Sequence, residues 1–260
     1  MKRCHFLTLV SAACLSLTAG YAAVAEPEKA QRCYELRIYH AAEGKLDALH
    51  ARFRDHTTGL FTRHGMINVA YWVPVENPGN QLIYLLSYPD QAAREASWKA
   101  FLADPEWNAA KAASETSGSL VEKIESRILA QTDFSPAMKI DPAAAPHAFE
   151  MRTYTASPGN LKNLLDRFRQ HTVGLFSKHG MNHFGYFTPA AGQSGADDTL
   201  IYFLAHASKE AQAASFDAFR VDPAWVKART ESETVGGGSL TAENGVLSVM
   251  LRATDYSPVK

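Results

Sequence analysis

Residues 53–66 read FRDHTTGLFTRHGM, and residues 168–181 read FRQHTVGLFSKHGM. The two stretches lie 115 positions apart and share ten of fourteen residues, including both histidines and the closing Gly-Met. A likeness this close within one chain predicts a duplicated fold.

The repeat covers most of the chain in register. Four further pairs match at offsets that grow from 115 to 122, and they are 34–39 with 149–154, 82–86 with 200–204, 104–107 with 222–225, and 132–136 with 254–258. A unit of roughly 100 residues indicates two domains rather than a solenoid. We predict domains at 32–134 and 147–256, with a proline- and alanine-rich linker at 135–146.

Along one repeat unit, the spacing of the hydrophobic residues alternates between the patterns of strands and helices. Residues 34–39 alternate as a strand, and a helical stripe of Leu46, Leu49, Phe53, His56 and Leu60 then ends at Gly65. Two more strands follow at 67–75 and 82–88, joined by a turn.

The second part of the unit begins with Asp90, which is expected to cap a helix that runs to about residue 103. Asp104-Pro105 predicts a further short helix, because proline suits the first helical position. A strand at 120–131 completes a ferredoxin-like βαββαβ unit of the α+β class. Each four-stranded sheet has one bare face, so we expect the two sheets to cover each other and form one barrel.

The strand Tyr34–Tyr39, the glycine-initiated helix and Asp104-Pro105-Glu106-Trp107 resemble the NIPSNAP family of the dimeric α+β barrel superfamily. The resemblance recurs in the second half, where Ala224 replaces Glu106 and Phe187 replaces Trp72. It implies that the halves form within one chain the barrel that two subunits form in single-domain relatives. Family members are similar to binding or adaptor proteins, whereas more distant barrel relatives include cofactor-free monooxygenases and haem-degrading enzymes.

The first 25 residues have the parts of a secretory signal peptide. Lys2 and Arg3 precede an apolar run, and Ala23-Val24-Ala25 supplies small residues before a cleavage point at Ala25-Glu26. We therefore expect a periplasmic or secreted protein. The alternatives are an N-terminal membrane anchor and a lipoprotein modified at Cys14.

Charge and cysteine content exclude several classes of partner and site. Removal of Lys2 and Arg3 from 26 basic residues leaves 24 against 27 acidic ones, which does not suit nucleic acid or an anionic membrane. No second apolar run approaches a membrane span. Cys33 alone remains after cleavage, so no internal disulfide is expected. No HExxH motif appears, and we predict no metal site and no cofactor, with haem as the one alternative.

The repeated histidines are the first candidate site. His56 and His171 fall on the predicted apolar helix face, where an imidazole could act as a ligand or an acid–base group, or could simply bond to a backbone carbonyl. His64 and His179 lie at the predicted helix ends, where a protonated ring interacts favourably with the helix dipole.

Two groups of polar strand residues are the other candidates. Alternation places Glu35, Arg37 and Tyr39, and their copies Glu150, Arg152 and Tyr154, on one strand face. They predict either ion pairs that set the register of the two sheets or an anion or carbonyl site. On the second strand, Asn68 and Trp72 flank Ala70 on one face, and His183 and Phe187 flank Gly185 in the copy, a pattern that suits a small pocket.

These observations favour an exported protein that binds a small apolar or aromatic molecule or a protein partner, or that self-associates. The alternative is a cofactor-independent monooxygenase or a haem-handling enzyme, in which His56 or His171 acts near Trp72 or His183. No nucleophile elbow, P-loop or dinucleotide motif is present to name a reaction.

Overall fold

The computed structural model describes Met1 and residues 32–138 and 147–260. Residues 2–25 of the predicted signal peptide, its cleavage point at Ala25-Glu26 and residues 139–146 of the predicted linker lie outside the described residues. Each half has the order strand, helix, strand, strand, helix, strand. The strands are β1 Cys33–Ala41, β2 Ile67–Pro74, β3 Gln81–Tyr88, β4 Val121–Gln131, β5 Ala148–Ala156, β6 Asn182–Pro189, β7 Thr199–His206 and β8 Thr241–Ala253.

The helices are α1 Leu46–Arg52, α2 Thr58–Arg63, α3 Gln91–Ala103, α4 Pro105–Ser114, α5 Leu161–Arg167, α6 Val173–Lys178, α7 Lys209–Arg220 and α8 Pro223–Gly236. A π-helical turn at Phe53–Thr57 joins α1 to α2, and a second at Phe168–Thr172 joins α5 to α6. In each turn an amide bonds to the carbonyl five residues back, from Thr58 to Phe53 and from Val173 to Phe168. The quoted repeat therefore encodes a helix that is widened by one residue in its middle.

The eight strands form one closed antiparallel barrel in the order β1-β3-β2-β8-β5-β7-β6-β4. The two halves meet at two short ladders of three residue pairs each. One joins Trp72–Pro74 to Leu251–Ala253, and the other joins Leu129–Gln131 to Phe187–Pro189. An α+β chain with an eight-stranded barrel is thus what the sequence encodes.

Apolar side chains from both halves fill the barrel interior. Trp72 is fully buried there and stacks on Phe203 with ring centroids 5.0 Å apart. Tyr34, Leu36 and Met151 belong to the same cluster, whereas the helices of each half pack on the outside of the barrel in two separate clusters. The strand face that carries Tyr34 and Leu36 is therefore the inner one.

The Asp-Pro motifs cap helices, as predicted. Asp104 accepts a hydrogen bond from the amide of Glu106 at 2.8 Å, and Asp222 accepts one from Ala224 at 2.9 Å. The same two carboxylates hold the histidines at the ends of α2 and α6, since Asp104 lies 2.7 Å from His64 Nε2 and Asp222 lies 2.8 Å from His179 Nε2. The specific partner of each ring is the N-cap carboxylate of α4 or α8, in addition to any helix dipole.

The repeated TDFSP and TDYSP segments at 132–136 and 254–258, here called the exchange segments, each pack on the opposite half. Thr254 donates its amide to the carbonyl of Tyr71 at 2.9 Å, and Ser257 Oγ accepts from the amide of Tyr71 at 3.0 Å. Thr132 and Ser135 make the same two bonds with Tyr186, both at 3.0 Å. Ser135 and Pro136, assigned from sequence to the linker, thus take part in the packing of the second half.

Candidate functional site

A cavity of about 580 Å³ lies between the outer face of the first sheet and helices α3 and α4. We call it the first-half cleft. Its walls are rich in aromatic rings, and its floor and rim carry five basic and two acidic side chains. The lining includes Arg37, Tyr39, Arg52, Phe53, Phe61, Arg94, Trp98, Phe101, Leu102, Trp107, Lys111, Glu115, Glu122, Lys123 and Ile124.

Glu35 organises the floor of the first-half cleft. Its side chain is fully buried, and both of its oxygens are saturated. The donors are Arg37 NH1 at 2.7 Å, Arg94 NH2 and Nε at 2.8 and 2.9 Å, Ser126 Oγ at 2.7 Å, Trp98 Nε1 at 2.8 Å and Tyr88 OH at 3.0 Å. Because two of these donors come from α3, the carboxylate ties the helix to the sheet.

This geometry corrects one of the two interpretations of Glu35 and Arg37. We expected ion pairs that set the register of one sheet on the other, which requires the residues to face the barrel interior. Alternation instead turns Tyr34 and Leu36 inward, so Glu35 and Arg37 point at the helices. The network fixes the position of α3, and it borders a cavity.

The charge state of Glu35 follows from its surroundings. Burial alone raises the pKa of the carboxyl, but the hydrogen bonds from Arg94, the charge of Arg37 and the bonds from Ser126 and Trp98 outweigh burial and lower the pKa to about 2. Glu35 is therefore a carboxylate at any pH near neutrality. It acts as a fixed counter-ion and cannot serve as a proton donor there.

Arg37 and Arg52 combine charge with aromatic contact. The Arg37 guanidinium lies over the Trp98 ring at 4.3 Å, and its NH2 is 3.4 Å from Tyr39 OH. Arg52 lies 5.3 Å from the Trp107 ring centroid and bonds to Glu115 at 2.8 Å. A guanidinium over an indole presents both a cation and a flat apolar surface to the cavity.

The second half repeats this arrangement with fewer donors. Glu150 is held by Arg152, by Ser248 Oγ at 2.6 Å and by His206 Nε2 at 3.1 Å, and its pKa is also lowered to about 2 against the opposing effect of burial. Gln212 stands at the position of Arg94, and Phe216 at that of Trp98. The Arg152 guanidinium lies over Phe216 at 4.6 Å.

Arg94 and Trp98 were not predicted as site residues. From sequence both belong only to the helix that Asp90 caps. The signal that could have identified them is a difference between the two copies of the repeat. Arg94 corresponds to Gln212 in the second copy, and Trp98 corresponds to Phe216.

His56 and His171 do not face a helix–sheet pocket, contrary to the prediction. Both are exposed, and the residues that follow them, Thr57 and Thr172, are each only 1% exposed. The π-helical turn adds one residue between Phe53 and the next inward position, which rotates the imidazoles outward. Thr57 Oγ1 donates to the carbonyl of Arg52 at 3.1 Å, so threonine is the residue that this helix requires.

Asn68 and Trp72 do not share a strand face either. The pairing of β2 with β3 shifts between Asn68 and Ala70, and β6 shifts at the corresponding place. This bulge leaves Ala70 and Trp72 inside the barrel and turns Asn68 toward α2, where its amide donates to Thr62 Oγ1 at 2.9 Å. The predicted small pocket beside Gly185 is filled, because an added Cβ would lie 2.9 Å from the Phe187 ring.

His183 forms a chain with Ser177 and Tyr186 that resembles a nucleophile–base pair. Its Nε2 is 2.7 Å from Ser177 Oγ, and its Nδ1 is 2.6 Å from Tyr186 OH. Burial lowers the pKa of His183 and raises that of Tyr186, so the ring is neutral and the phenol keeps its proton.

We assign the direction of those hydrogen bonds from the corresponding residues of the first half. There Tyr71 OH donates to Asn68 Oδ1, and Asn68 Nδ2 donates to Thr62 Oγ1, which itself donates to the carbonyl of Thr58 at 3.2 Å. Ser177 Oγ likewise donates to the carbonyl of Val173 at 3.3 Å. The matching tautomer has the proton on His183 Nε2, donated to Ser177. In that tautomer His183 donates to Ser177 and does not accept its proton.

A second cavity, of about 560 Å³, lies at the seam between α1 and the end of β8. His50 borders this seam cavity, and its Nδ1 is 2.8 Å from the hydroxyl of Tyr256 in the exchange segment. The second half has Leu165 and Phe134 at the two positions. The hydrogen-bonded pair of one half is therefore replaced by an apolar pair in the other.

Cys33 is a buried free thiol, and burial raises its pKa. Within residues 32–138 and 147–260, no cluster of three or more histidine, cysteine, aspartate or glutamate side chains could hold a metal ion. No helix in the same ranges has the length and apolar character to cross a membrane.

Comparison with known proteins identifies one family. The NIPSNAP family model matches residues 34–136 and again 149–258. No curated protein matches the chain. Among solved structures, a NIPSNAP family protein from Agrobacterium tumefaciens is 26% identical over 41% of this chain and 98% of its own, with a TM-score of 0.37.

Two longer structures share the fold at lower identity. A proposed monooxygenase from Lactobacillus acidophilus is 8% identical, covers 86% of this chain and 94% of its own, and has a TM-score of 0.55. An anthrone oxidase-like protein is 14% identical, covers 88% and 94%, and has a TM-score of 0.55. At these identities the likeness establishes a common architecture.

Proposed function

The chain belongs to the NIPSNAP family, and from that premise we propose that it binds a small molecule with an aromatic or apolar body in the first-half cleft. The observation that carries the proposal is the cavity of about 580 Å³ whose walls are Trp98, Trp107, Phe61 and Phe101. Cavities of several hundred Å³ with apolar walls and a few fixed polar groups are typical of small-molecule sites.

The walls of the first-half cleft are held rigidly, which favours binding. Trp98 is fixed by its bond to Glu35, and Trp107 packs on Phe101 with ring centroids 4.5 Å apart. Leu102 and Ile124 are 58% and 48% exposed at the rim, so apolar surface remains for a ligand to cover. A ligand would therefore find a site that needs little ordering.

Two finer points belong to the same proposal. We take the halves to be tandem ferredoxin-like units, supported by the order β4-β1-β3-β2 in the first half and β8-β5-β7-β6 in the second. We also take the mature protein to be exported to the periplasm or secreted, supported by the signal-like residues 1–25. N-terminal sequencing of the exported protein should begin at Glu26, and an intact N-terminus would contradict export with cleavage.

The alternatives predicted from sequence have less support. A monooxygenase or haem-handling activity through His56 or His171 near Trp72 or His183 would need these side chains to face one space. Both of the first two histidines are exposed outside the barrel, Trp72 is buried within it, and His183 is bonded to Ser177 and Tyr186. A protein partner or self-association would leave the depth of the first-half cleft unused. Turnover of a bound ligand, or a haem Soret shift on titration, would revive the enzyme alternative.

The test uses two tryptophans in matching positions. Trp107 borders the first-half cleft, and Trp225 makes the same contacts in the second half, 4.4 Å from Phe219 and 5.2 Å from Arg167. The probe is N-phenyl-1-naphthylamine, an apolar aromatic fluorophore, titrated into the mature chain. We expect Trp107→Ala to weaken binding about tenfold, because an aromatic contact is lost.

Trp225→Ala is the control, since it costs similar packing but lies in the other half. We expect its affinity for the probe to stay within about twofold of the parent. Equal weakening by the two variants, or no binding by the parent chain, would contradict a site in the first-half cleft.

A further inference from the structure

The positive and negative charges at the floor of the first-half cleft do not cancel. Glu35 carries one negative charge and is contacted by two guanidinium groups, those of Arg37 and Arg94. The remaining donors to Glu35, from Ser126, Trp98 and Tyr88, are neutral. One permanent positive charge is therefore left over beside the cavity.

Part of that surplus charge is available for a ligand. A guanidinium has five N–H donors, and Arg94 bonds to Glu35 through Nε and NH2 only. Within the described part of the chain its NH1 has no hydrogen-bond partner, and Arg94 lines the cavity. Arg37 also lines it and holds Tyr39 through a long 3.4 Å contact from NH2.

The other charges around the cleft do not cancel the surplus. Arg52 is paired with Glu115 at 2.8 Å, which accounts for both of those charges. Lys123 is paired with Glu125 at 2.8 Å. The one further basic group of the lining, Lys111, is offset in net charge by the remaining acidic group, Glu122, so the surplus charge of Arg37 and Arg94 over Glu35 remains. A cleft with this balance has positive potential at its closed end, where low exposure strengthens electrostatic attraction.

The second half lacks the feature. Glu150 is contacted by one guanidinium, that of Arg152, because Gln212 occupies the position of Arg94. One permanent positive charge there faces one negative charge. Since Glu150 is as deeply buried as Glu35, the fold does not need the second guanidinium to hold a carboxylate at this place.

We infer that the ligand of the first-half cleft is an organic anion. Its carboxylate or sulfonate binds Arg94 and Arg37, and its flat apolar body lies along Trp98 and Trp107 toward the rim at Leu102. This rests on the proposed function and adds the chemical class of the ligand and the half of the chain that recognises it. Guanidinium groups are the donors best suited to planar, oxygen-bearing anions.

Two probes with the same aromatic body separate charge recognition from apolar binding. They are 8-anilinonaphthalene-1-sulfonate, which is an anion, and N-phenyl-1-naphthylamine, which lacks the sulfonate. Each is titrated by fluorescence into the mature chain at low ionic strength. Arg94→Gln installs the residue of the second half, and we expect it to weaken sulfonate binding about tenfold and to leave amine binding within about twofold.

Two further variants control for charge and for folding. Arg220→Gln removes a positive charge from the equivalent helix of the second half, where Arg220 is 62% exposed and paired with Asp217, and it should change neither affinity. Arg94→Lys keeps the charge on a side chain of similar reach, and it should retain sulfonate binding within about threefold. Thermal unfolding of each variant shows whether it is folded during the titration.

The outcomes distinguish this inference from the proposed function. If the amine binds but Arg94→Gln leaves sulfonate binding unchanged, or weakens both probes equally, the anion inference is overturned and the apolar site stands. If neither probe binds the parent chain, the proposed function fails and the inference fails with it. If Arg94→Gln loses affinity for the sulfonate and keeps its affinity for the amine, while the two control variants bind the sulfonate as expected, both the proposed function and the anion inference are supported.

Discussion

Arg54 and Asp255 are 201 positions apart in the chain, yet Arg54 Nε and NH2 lie 2.6 and 2.8 Å from the two carboxylate oxygens of Asp255. Arg169 holds Asp133 in the same bidentate way, at 2.7 and 2.8 Å. Each arginine sits in the π-helical turn of one half and binds the exchange segment that extends from the other. The repeated FR of the quoted stretches and the repeated TD of the exchange segments therefore recognise each other across the barrel.

The buried hydrogen bonds between the exchange segments and the opposite half should contribute more to stability than the exposed ion pair of Arg54 and Asp255. Ser257 is 3% exposed and accepts the amide of fully buried Tyr71, so Ser257→Ala leaves a buried donor without its partner. We expect the free energy of unfolding to fall by about 1–3 kcal/mol, measured by urea denaturation.

Arg54 and Asp255 give the matched comparison, because their side chains are 43% and 62% exposed. A double-mutant cycle with Arg54→Met and Asp255→Asn should give a coupling well below the cost of Ser257→Ala, because solvent screens an exposed ion pair. A coupling larger than the cost of Ser257→Ala would reverse this ranking.

Glu35 and Glu150 should make stability fall in acid. Their folded pKa values of about 2 lie below the ordinary value of 4.5, so their contribution is complete above about pH 5 and is lost as the pH falls through 4.5 toward 2. Between pH 7 and pH 3, linkage gives a loss of about 2 kcal/mol for each carboxyl.

Glu35→Gln should therefore reduce the difference in unfolding free energy between pH 7 and pH 3 by about 2 kcal/mol, as well as lower stability at pH 7. Urea titrations at the two pH values measure it. Glu150→Gln should show the same reduction, and an unchanged pH dependence in both variants would mean that the network does not hold these carboxyls ionised.

The neighbours His56 and Thr57 should differ sharply in their effect on stability. His56 is exposed, and His56→Ala should change the free energy of unfolding by less than about 0.5 kcal/mol. Thr57 is 1% exposed and donates to the Arg52 carbonyl, which the π-helical turn would otherwise leave less well bonded. Thr57→Val keeps the shape and removes the donor, and it should cost about 1 kcal/mol in thermal or urea unfolding. A larger effect from His56→Ala would restore that histidine as a structural or functional group.

Replacing His50 and Tyr256 by the residues of the second half should cost less stability when both are replaced together than when Tyr256 alone is replaced. Tyr256→Phe alone removes the partner of His50 Nδ1, whereas His50→Leu with Tyr256→Phe installs the pair found as Leu165 and Phe134. We expect the single change to cost about 0.5–1.5 kcal/mol and the double variant to recover part of it. Additive costs in the cycle would show that the hydrogen bond contributes nothing.

Much of the architecture could be predicted because it depends on local patterns that occur twice. The alternation at Tyr34–Tyr39 and the capping pair Asp104-Pro105 each specify an element from a few neighbouring residues. The closed barrel follows from two half-covered sheets.

The candidate site could not be predicted as well, because it depends on one-residue shifts in register. A π-helical turn moves His56 out and Thr57 in, and a bulge separates Asn68 from Trp72. Neither irregularity changes the hydrophobic pattern enough to be read from it. The role of Glu35 depends on which face of its strand meets the helices, because that decides whether Glu35 links two sheets or a sheet and a helix. Alternation shows that the strand has two faces but does not tell which one meets the helices.

The covalent link between the halves has an evolutionary consequence for the first-half cleft. In a barrel built from two identical subunits, any substitution appears at both ends at once, so a surplus guanidinium in one cleft would be imposed on the other. Fusion removes that constraint. Arg94 and Trp98 in one half, against Gln212 and Phe216 in the other, are differences that a symmetric assembly could not have kept, and they allow the clefts of the two halves to differ while both maintain the shared barrel.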